Sequence, residues 1–304
     1  MPALSHIRII SDGKRGHENQ SLGLAEALQR RTGAGIETVT FSGSDSFLSR
    51  LRHAAHRDTA PQLLIAAGHH THLPLLWARK RLRVPSVLIM RPSLPVSWFD
   101  LCLIPRHDLT DTPESPHIIP TSGALNRLPE NPPGKASNGL IMLGGPSKHF
   151  EWNSELLLEA IATIVRSSPT LTWTLGDSRR TPDDLLHRIR NLQLPLTIAP
   201  HGDTSPDWLP ATLGAADTVW VSPDSTSMVY ESLTSRARVG LLPLTANGTR
   251  LSRSIDQLID SNSVTPFRSW PPGEPLPEPD TPLHETSRCA TEILTRLFPG
   301  SAAR

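Results

Sequence analysis

The sequence predicts an α/β protein with two Rossmann-like domains, each a doubly wound parallel sheet with helices on both faces. Three observations predict this fold class. Short apolar runs alternate with segments of helical periodicity along both halves of the chain. The length of 304 residues suits two domains of about 150 residues better than one. The Pro-rich stretch NRLPENPPGKASN, residues 126–138, has no periodic pattern and separates the halves.

The first half alternates strands and helices in order. Its strand candidates are short runs rich in Ile, Val and Leu, at residues 7–10, 36–41, 63–67, 86–90 and 101–105. Its helix candidates carry apolar side chains three or four positions apart, at residues 21–31, 45–57 and 73–83. Strands joined by helices are typical of βαβ units, so we expect a parallel sheet.

The second half repeats this order. Its strand candidates lie at residues 140–143, 171–175, 196–199, 218–221 and 239–242, and its helix candidates at 154–166, 183–191, 208–215 and 225–235. A second Pro-rich stretch at residues 269–282 precedes an amphipathic segment at 285–298. We predict an N-terminal domain at residues 1–128, a linker at 129–138, a C-terminal domain at 139–270, and a stretch at 271–304 whose helix packs back on the first domain. The two domains should face a central cleft, with ligands at the carboxyl ends of the strands.

Composition narrows the function classes. The net charge of +1 argues against a nucleic-acid partner, and two cysteines are too few for a disulfide framework. The chain has no signal peptide pattern and no apolar run of membrane-spanning length. We therefore expect a cytoplasmic protein, with at most peripheral contact at the inner face of the cytoplasmic membrane. The basic segment WARKRLR, residues 77–83, suits either a membrane surface or a solvated helix.

Several common motifs are absent from the sequence. It contains no GxxxxGK[ST], GxSxG or HExxH, and no GxGxxG follows a strand candidate. His69, His70 and His72 cluster after the third strand, but no carboxylate or cysteine lies nearby at ligand spacing. We interpret this cluster as a polar loop and expect neither a metal nor a cofactor.

The loop after the first strand is the first candidate site. Gly13 and Gly16 permit tight turns, and we expect the helix to begin near Asn19 with Asn19 or Ser21 as its N-cap. The loop would then present Asp12 and His17 as an acid–base pair. The alternative, a capped turn, accounts for the cap but gives no purpose to His17.

Two loops of the second half carry groups that bind phosphate. Gly144 and Gly145 would let a ligand approach the backbone, beside Ser147 and Lys148. After the next strand, Ser178, Arg179 and Arg180 precede Thr181, the predicted N-cap of a helix with Pro182 in its first turn. Paired arginines suit a diphosphate. The alternative for the first loop is a tight turn after a strand. The alternative for the second loop is a solvent-exposed basic turn.

The fourth loop, SPDSTSMVYESL at residues 222–233, is the most informative. Asp224, Ser227 and Glu231 recur at spacings that place them on one helix face. The hydroxyls of Ser225 and Ser227 could bind phosphate, and Glu231 could bind the vicinal hydroxyls of a ribose. Met228 is an apolar neighbour of this face. The alternative is a helix N-terminus that has more capping side chains than it needs, followed by a solvent-exposed glutamate.

These stretches together resemble a known family. SDGKRGHENQSLGLAEAL, FDLCLIPRHD, TSGAL, GGPSKHFEWN, SRRTP and SPDSTSMVYESL occur in order between residue 7 and about residue 245. They are similar to segments of the mitochondrial-fission-type glycosyltransferases, named for a plant member and widespread in bacteria. The resemblance implies the GT-B architecture, with sugar nucleotide on the second domain, acceptor on the first, and no metal requirement.

Carried over residue by residue, the resemblance divides the candidates into two groups. The donor group is Ser147, Lys148, Ser178, Arg179, Arg180, Asp224, Ser225, Ser227 and Glu231. The acceptor group is Asp12, Gly16, His17 and Asn19. The chain departs from the family pattern at HGDTSPDWLP (201–210), at Gly68-His69-His70 in place of Gly-Arg-Arg, and at TSRARVG (234–240).

The resulting hypothesis is a metal-independent glycosyltransferase acting by direct displacement with inversion. It would move a sugar from a nucleotide-diphosphate donor to an envelope glycan, such as lipopolysaccharide, or to a lipid-linked acceptor. His17 would be the general base, and Asp12 would orient or replace it. Two alternatives remain: a sugar-nucleotide 2-epimerase of the same fold, and a non-catalytic adaptor that recruits a protein partner or a membrane.

Overall fold

The computed structural model describes residues 3–41, 44–109, 114–128, 137–279 and 283–300. The chain divides into two compact units: unit 1 is Met1–Pro129 with His284–Arg304, and unit 2 is Glu130–Leu283. The linker predicted at residues 129–138 lies outside the described residues except for its last two positions.

Unit 1 is built on a parallel sheet of six strands in the order β2-β1-β3-β4-β5-β6. The elements in chain order are β1 (His6–Ser11), α1 (Arg15–Thr32), β2 (Gly35–Thr40), α2 (Phe47–Ala54), β3 (Leu63–Ala67), α3 (His72–Leu82), β4 (Ser86–Ile89), β5 (Leu101–Pro105) and β6 (Ile118–Thr121). After β2 the chain crosses to the other side of β1, so the strand order reverses between β1 and β3. Open α/β sheets bind ligands at such a switch point.

Unit 2 has a second six-stranded parallel sheet in the order β10-β9-β7-β11-β12-β14. Its elements are β7 (Asn138–Met142), β8 (Phe150–Glu151), α4 (Ser154–Ser167), β9 (Thr172–Gly176), α5 (Asp183–Asn191), β10 (Leu196–Ala199), α6 (Trp208–Ala215), β11 (Thr218–Val221), α7 (Thr226–Thr234), β12 (Arg238–Leu241), β13 (Thr245–Ala246), α8 (Arg250–Asp260) and β14 (Thr265–Pro266). Counted within the unit, this is the Rossmann order 3-2-1-4-5-6, with the switch point between β7 and β11.

The last helix, α9 (Glu285–Leu297), belongs to unit 1 and packs against α1. Its side chains Cys289, Ala290, Ile293 and Leu294 join the same buried cluster as Leu24 and Leu28 of α1. Residues three or four apart on both helices therefore form one apolar contact on this face of the sheet.

The strands of unit 1 supply both faces of its core because successive side chains point to opposite sides of a sheet. Leu63, Ile65 and Ala67 of β3 face the cluster under α1 and α9, whereas Leu64 and Ala66 face the cluster under α2 and α3. This burial on both faces explains why the strands are continuous apolar runs in the sequence.

One fully buried charge interrupts this core. Arg8 of β1 has no exposed side-chain surface and lies 2.5 Å from the Glu37 carboxylate. Its guanidinium also donates to the backbone oxygens of Ala54 and His56 and to the hydroxyl of Thr59. Arg8 thus fixes the end of α2 and the loop that follows it, at the end of the sheet opposite the switch point.

The fold class predicted from the sequence is confirmed, and each of the ten strand candidates matches a strand within about two residues. The sequence prediction missed the short strands β6, β8, β13 and β14 and the helix α8. Strand β6 contains Pro120, and the other three missed strands have only two residues each, too few for a periodic signal. Helix α8 does carry apolar residues at helical spacing, Leu251, Ile255 and Leu258.

Candidate functional site

The candidate residues of unit 1 lie at the β1/β3 switch point, but not in a long loop. The prediction that the helix starts near Asn19 or Ser21 is wrong, because α1 begins at Arg15 with Lys14 as its N-cap. The backbone N–H of Glu18 donates to the Lys14 oxygen at 3.0 Å and closes the first turn. Helical periodicity of apolar residues starts only at position 22, since the first turn faces this polar site.

Asp12 and His17 form a direct pair. His17 Nδ1 lies 3.0 Å and 3.1 Å from the two carboxylate oxygens of Asp12, so the carboxylate fixes the tautomer with the proton on Nδ1. Nε2 is then left as the basic atom. The Asp12 side chain is 5% exposed and the His17 side chain 18% exposed, so the pair is sheltered yet accessible.

Gly68, directly after β3, makes room for the His17 ring. A Cβ at Gly68 would lie 2.3 Å from His17 Cε1, and the φ of Gly68 is +86°, which side chains rarely tolerate. Sequence reasoning did not select Gly68 as a site residue. Because β1 and β3 are adjacent parallel strands, the residues that follow them are neighbours, and that placement is the signal that could have identified it.

The other candidates predicted on the acceptor side, Gly13, Gly16 and Asn19, make no contact of this kind with the Asp12–His17 pair. Gly13 takes a φ of +75° in the turn, while Gly16 and Asn19 are exposed on the first turns of α1. Asn19 lies two positions after His17, about 200° away around the helix, so the structure does not bring it to the pair. Lys14 Nζ lies 3.7 Å from Asp12 Oδ2.

Two exposed histidines add basic groups at this edge. The rings of His69 and His70 have centroids 3.9 Å apart. The charge on His69 is the main cause that lowers the pKa of His70, with Lys14 and Arg50 contributing in the same direction. Close cations disfavour further protonation, so the His70 ring is more often neutral than a free histidine.

In unit 2 the candidates gather at the β7/β11 switch point around the carboxylate of Asp224. This side chain is 1% exposed. Its Oδ2 accepts from the backbone N–H of Gly145 at 2.9 Å and from Arg180 at 2.7 Å, whereas its buried Oδ1 has no partner among the described atoms. A buried carboxylate oxygen without a donor is costly, and the two hydrogen bonds accepted by Oδ2 offset part of that cost.

The structure changes the role predicted for Arg180. Its guanidinium donates to Asp224 and also to the backbone oxygens of Gly145 and Pro146. Arg180 therefore neutralises a buried carboxylate and does not extend from a helix N-terminus toward a diphosphate. Arg179, next to it, is exposed.

The two glycines after β7 admit protein atoms where a ligand was predicted. A Cβ at Gly144 would lie 2.2 Å from an Asp224 oxygen, and one at Gly145 would lie 2.1 Å from the Arg180 oxygen. The Gly144 N–H donates to Ser222 Oγ at 2.7 Å. Both N–H groups are thus already used within the protein, because the loops after β7, β9 and β11 pack directly on one another.

Thr181 is not the N-cap of α5, contrary to the sequence prediction. The N-cap is Pro182, and the Thr181 hydroxyl instead accepts from the Ser178 N–H at 2.9 Å and donates to the Gly144 oxygen. Ser178 Oγ donates to the same oxygen at 2.8 Å. These hydroxyls fasten the loop after β9 to the loop after β7.

The start of α7 retains its capacity for a ligand. Ser225 is the N-cap but its side chain makes no capping hydrogen bond, and the buried hydroxyl of Thr226 has no partner among the described atoms. The first N–H groups of a helix attract anions. Ser227 is exposed and Met228 half-buried at this end.

Glu231 lies one turn beyond Ser227 on the same side of α7. Desolvation raises the pKa of its carboxyl to about 7, although part of the side chain is accessible. The predicted common face is only partly correct, because Asp224 precedes the helix and faces Arg180. Ser147 and Lys148, in the loop after β7, are half-buried and exposed.

A second Asp–His pair in unit 2 was not predicted. Asp177 follows β9 and His201 follows β10, and the carboxylate accepts from the His201 backbone N–H and lies 3.1 Å from His201 Nδ1. The Trp208 ring lies against Gly176, at the end of β9. Ala199 pairs with Gly176 on adjacent parallel strands, so the residues that follow these two strands lie close together. This adjacency of β9 and β10 is the feature that could have identified the pair.

Within the described ranges, no group of three or more His, Cys, Asp or Glu side chains is arranged to hold a metal ion. In the same part of the chain, none of the helices combines the length and the apolar character needed to cross a bilayer.

Comparison with known proteins gives matches in sequence and in structure. The family model described as Mitochondrial fission ELM1 matches residues 15–297. An uncharacterized protein of Rickettsia prowazekii (strain Madrid E), RP120, is 23% identical over 239 residues, which cover 61% of this chain and 68% of the relative.

The structural neighbours have the two-domain GT-B fold. The UDP-GlcNAc 2-epimerase from Methanocaldococcus jannaschii is similar with a TM-score of 0.59 at 11% identity, over 95% of this chain and 99% of that one. A glycosyltransferase from Rickettsia africae ESF-5 is similar with a TM-score of 0.52 at 10% identity, over 99% and 91%. At these identities the likeness establishes the fold, and function has to be argued from the sites.

Proposed function

Because the chain belongs to the Mitochondrial fission ELM1 family, we propose that it is a glycosyltransferase using a nucleoside-diphosphate sugar. The transfer needs no metal, proceeds with inversion, and has an envelope glycan or a lipid-linked molecule as acceptor. The observation that supports this most directly is the difference between the two switch points: one holds an Asp–His pair, and the other holds a helix start whose N-cap side chain makes no capping hydrogen bond.

The donor is proposed to bind at the β7/β11 switch point of unit 2. The diphosphate would lie at the start of α7, where the helix dipole and the Ser225 hydroxyl are available, with Lys148 and Arg179 adding positive charge. Glu231, one turn along, would accept hydrogen bonds from the vicinal hydroxyls of the ribose.

The acceptor is proposed to react at His17. Asp12 holds the proton on Nδ1, so Nε2 takes the proton of the acceptor hydroxyl as its oxygen attacks the anomeric carbon. The bond from that carbon to the diphosphate breaks, and the nucleoside diphosphate leaves with its negative charge stabilised at α7. Direct attack on the side opposite the leaving group inverts the anomeric centre. The protein would act in the cytoplasm, at the inner face of the membrane where a lipid-linked acceptor lies.

Nucleotide binding is the first test. We expect one of UDP, GDP, CDP, ADP, TDP and CMP to raise the melting temperature, with UDP the first choice because the similar archaeal protein is a UDP-GlcNAc 2-epimerase. The increase should disappear in Glu231→Ala and persist in His17→Ala. No increase with any nucleotide on folded protein would contradict the proposal and favour the adaptor alternative.

Product analysis then separates the two enzymatic alternatives. With donor alone, a glycosyltransferase releases at most slow hydrolysis products, whereas a 2-epimerase forms the epimeric nucleotide sugar. Formation of the epimer without acceptor, followed by NMR of the sugar protons, would replace our proposal with the epimerase. The anomeric coupling in the transferred product tests inversion directly.

A further inference from the structure

Helices α2 and α3 present a common outer surface on unit 1, which we call the α2–α3 face. The two helices contact each other on one side of the sheet and share a buried cluster through Ala54, Leu75 and Ala78. Their sequences, FLSRLRHA and HLPLLWARKRL, contain no Asp or Glu. The outer surface of both helices is therefore free of acidic side chains.

The first turn of α2 and the first two turns of α3 expose large apolar side chains. Phe47 and Leu48 of α2 are 55% and 66% exposed, and Leu73 and Trp77 of α3 are 51% and 47% exposed. Leu73 and Trp77 are four positions apart and so lie on one side of α3. Both helices follow parallel strands, which places these apolar ends at the same edge of the sheet as the Asp12–His17 pair.

The last turns and the loop after α2 carry the basic side chains of the face. A surface concavity is lined by Arg57, Trp77, Lys80, Arg81, Leu82 and Arg83, without any carboxylate. Lys80 and Arg81 continue the outer stripe that begins at Leu73 and Trp77, at helical spacing. Asp58, the acidic residue beside Arg57, is an exposed carboxylate at the margin of this surface, 3.7 Å from His56 Nδ1.

From this arrangement we propose that the α2–α3 face docks the protein on a bilayer that contains anionic phospholipids. Apolar side chains insert at the level of the headgroups, Trp77 occupies the interface, and the cations bind lipid phosphates. Charge complementarity alone would also suit an acidic protein. The bilayer is favoured because separate bulky apolar groups are flanked by long flexible cations, which can insert and extend to the headgroups respectively.

This inference rests on the proposed function, since the apolar end of the α2–α3 face lies at the same edge of the sheet as His17, where a lipid-linked acceptor would react. Binding itself requires no turnover, so the two can fail separately. If no nucleotide raises the melting temperature, the proposed donor site in unit 2 is contradicted. Vesicle binding still tests the α2–α3 face by itself.

The test is sedimentation of the full chain with vesicles. We expect binding to vesicles of phosphatidylcholine with about 30% phosphatidylglycerol, on the order of 100-fold weaker binding for Arg57→Gln/Lys80→Gln/Arg81→Gln, and weakening by salt. The matched control, Arg166→Gln/Arg190→Gln/Arg253→Gln, removes the same charge from exposed positions of unit 2 and should bind as the wild type does. Leu73→Ser/Trp77→Ser should also bind weakly, while all variants keep the wild-type circular dichroism spectrum.

Three outcomes would overturn the proposal. These are absence of binding to the anionic vesicles, equal binding to pure phosphatidylcholine, and equal weakening by the control triple variant. If the protein does not bind vesicles but binds an acidic protein, and substitutions in the α2–α3 face weaken that binding, the face is assigned to a protein partner instead.

Discussion

The two switch points of the molecule differ in how far the protein satisfies its own polar groups. In unit 1, Asp12 contacts His17, and the basic Nε2 of the ring is left for another molecule. In unit 2, Asp224 accepts hydrogen bonds from Arg180 and Gly145, and these bonds join the loops that follow β7, β9 and β11. The first site is thus prepared for proton transfer, and the second is a rigid frame whose ligand-binding groups are those that remain outside the network.

The largest expected effect comes from removing the base of unit 1. His17→Ala should lower the rate of sugar transfer by about 10³-fold, because no other described group at the pair can accept the proton as readily. Asp12→Asn should also lower it strongly, because an amide no longer holds the proton on Nδ1 even though the ring keeps its place. Steady-state kinetics checks this, with nucleotide binding by calorimetry as the control. An unchanged rate would move the catalytic base elsewhere.

The next effect tests whether the His17 ring depends on Gly68. Gly68→Ala adds a Cβ in the space of the ring and strains a backbone with φ of +86°. We expect the rate of transfer to fall by about 10²-fold through displacement of the ring, with wild-type nucleotide affinity in unit 2. Gly202→Ala, where a Cβ meets nothing within 4 Å and which is none of the proposed site residues, is the control and should keep full activity.

The internal network of unit 2 predicts an effect on stability. Arg180→Gln leaves the buried Asp224 carboxylate without its cation and should lower the free energy of unfolding by about 2 kcal/mol, a reduced figure because Arg180 is 43% exposed. Adding Asp224→Asn should restore part of this loss in a double-mutant cycle under urea. Arg188→Gln, which breaks an exposed pair with Glu155, should leave the unfolding midpoint unchanged. Additive effects of the Arg180 and Asp224 substitutions would contradict the coupling.

The smallest effect depends on pH. Burial raises the pKa of Glu231 from 4.5 to about 7, so between these values the folded chain binds more protons than the unfolded chain. The free energy of unfolding therefore falls as pH rises through this window and stays reduced above it. Glu231→Gln should be about 1 kcal/mol more stable than the wild type at pH 8, a figure reduced from the ~3.4 kcal/mol of the full shift because part of the side chain is accessible, and equal to it near pH 4.5. Denaturant titrations at both pH values measure the difference, and a pH-independent one would be evidence against a buried carboxyl.

The sequence predicted the elements that have a clear period and missed those set by tertiary contacts. The strand at Leu63–Ala67 was predicted with its observed bounds because five successive buried apolar residues leave little ambiguity. The start of α1 was missed because its first turn, Arg15 to Glu18, is polar and faces the site. The N-cap assignment of Thr181 failed because its hydroxyl bonds the loop after β7, which no local pattern reveals.

Prediction of the sites from the sequence also failed where the partners of a residue are distant in the chain. Sequence spacing suggested that Asp12 and His17 act together, and the structure brings them to 3.0 Å. The partners that support them from another strand could not be inferred from spacing, because Gly68 lies about 50 residues away. The role of Arg180 was mistaken for a related reason: its partner Asp224 is 44 residues distant and belongs to a different loop.

The return of the chain to unit 1 has a consequence for its biosynthesis. Helix α9 completes the core beside α1, yet its residues leave the ribosome only after those of unit 2. Unit 2, a continuous segment, has all its strands available before that moment. Until α9 is made, the apolar side chains of nascent unit 1 that contact it stay uncovered, which favours binding by chaperones during translation. Unit 1 therefore completes its core after the strands of unit 2 have been synthesised.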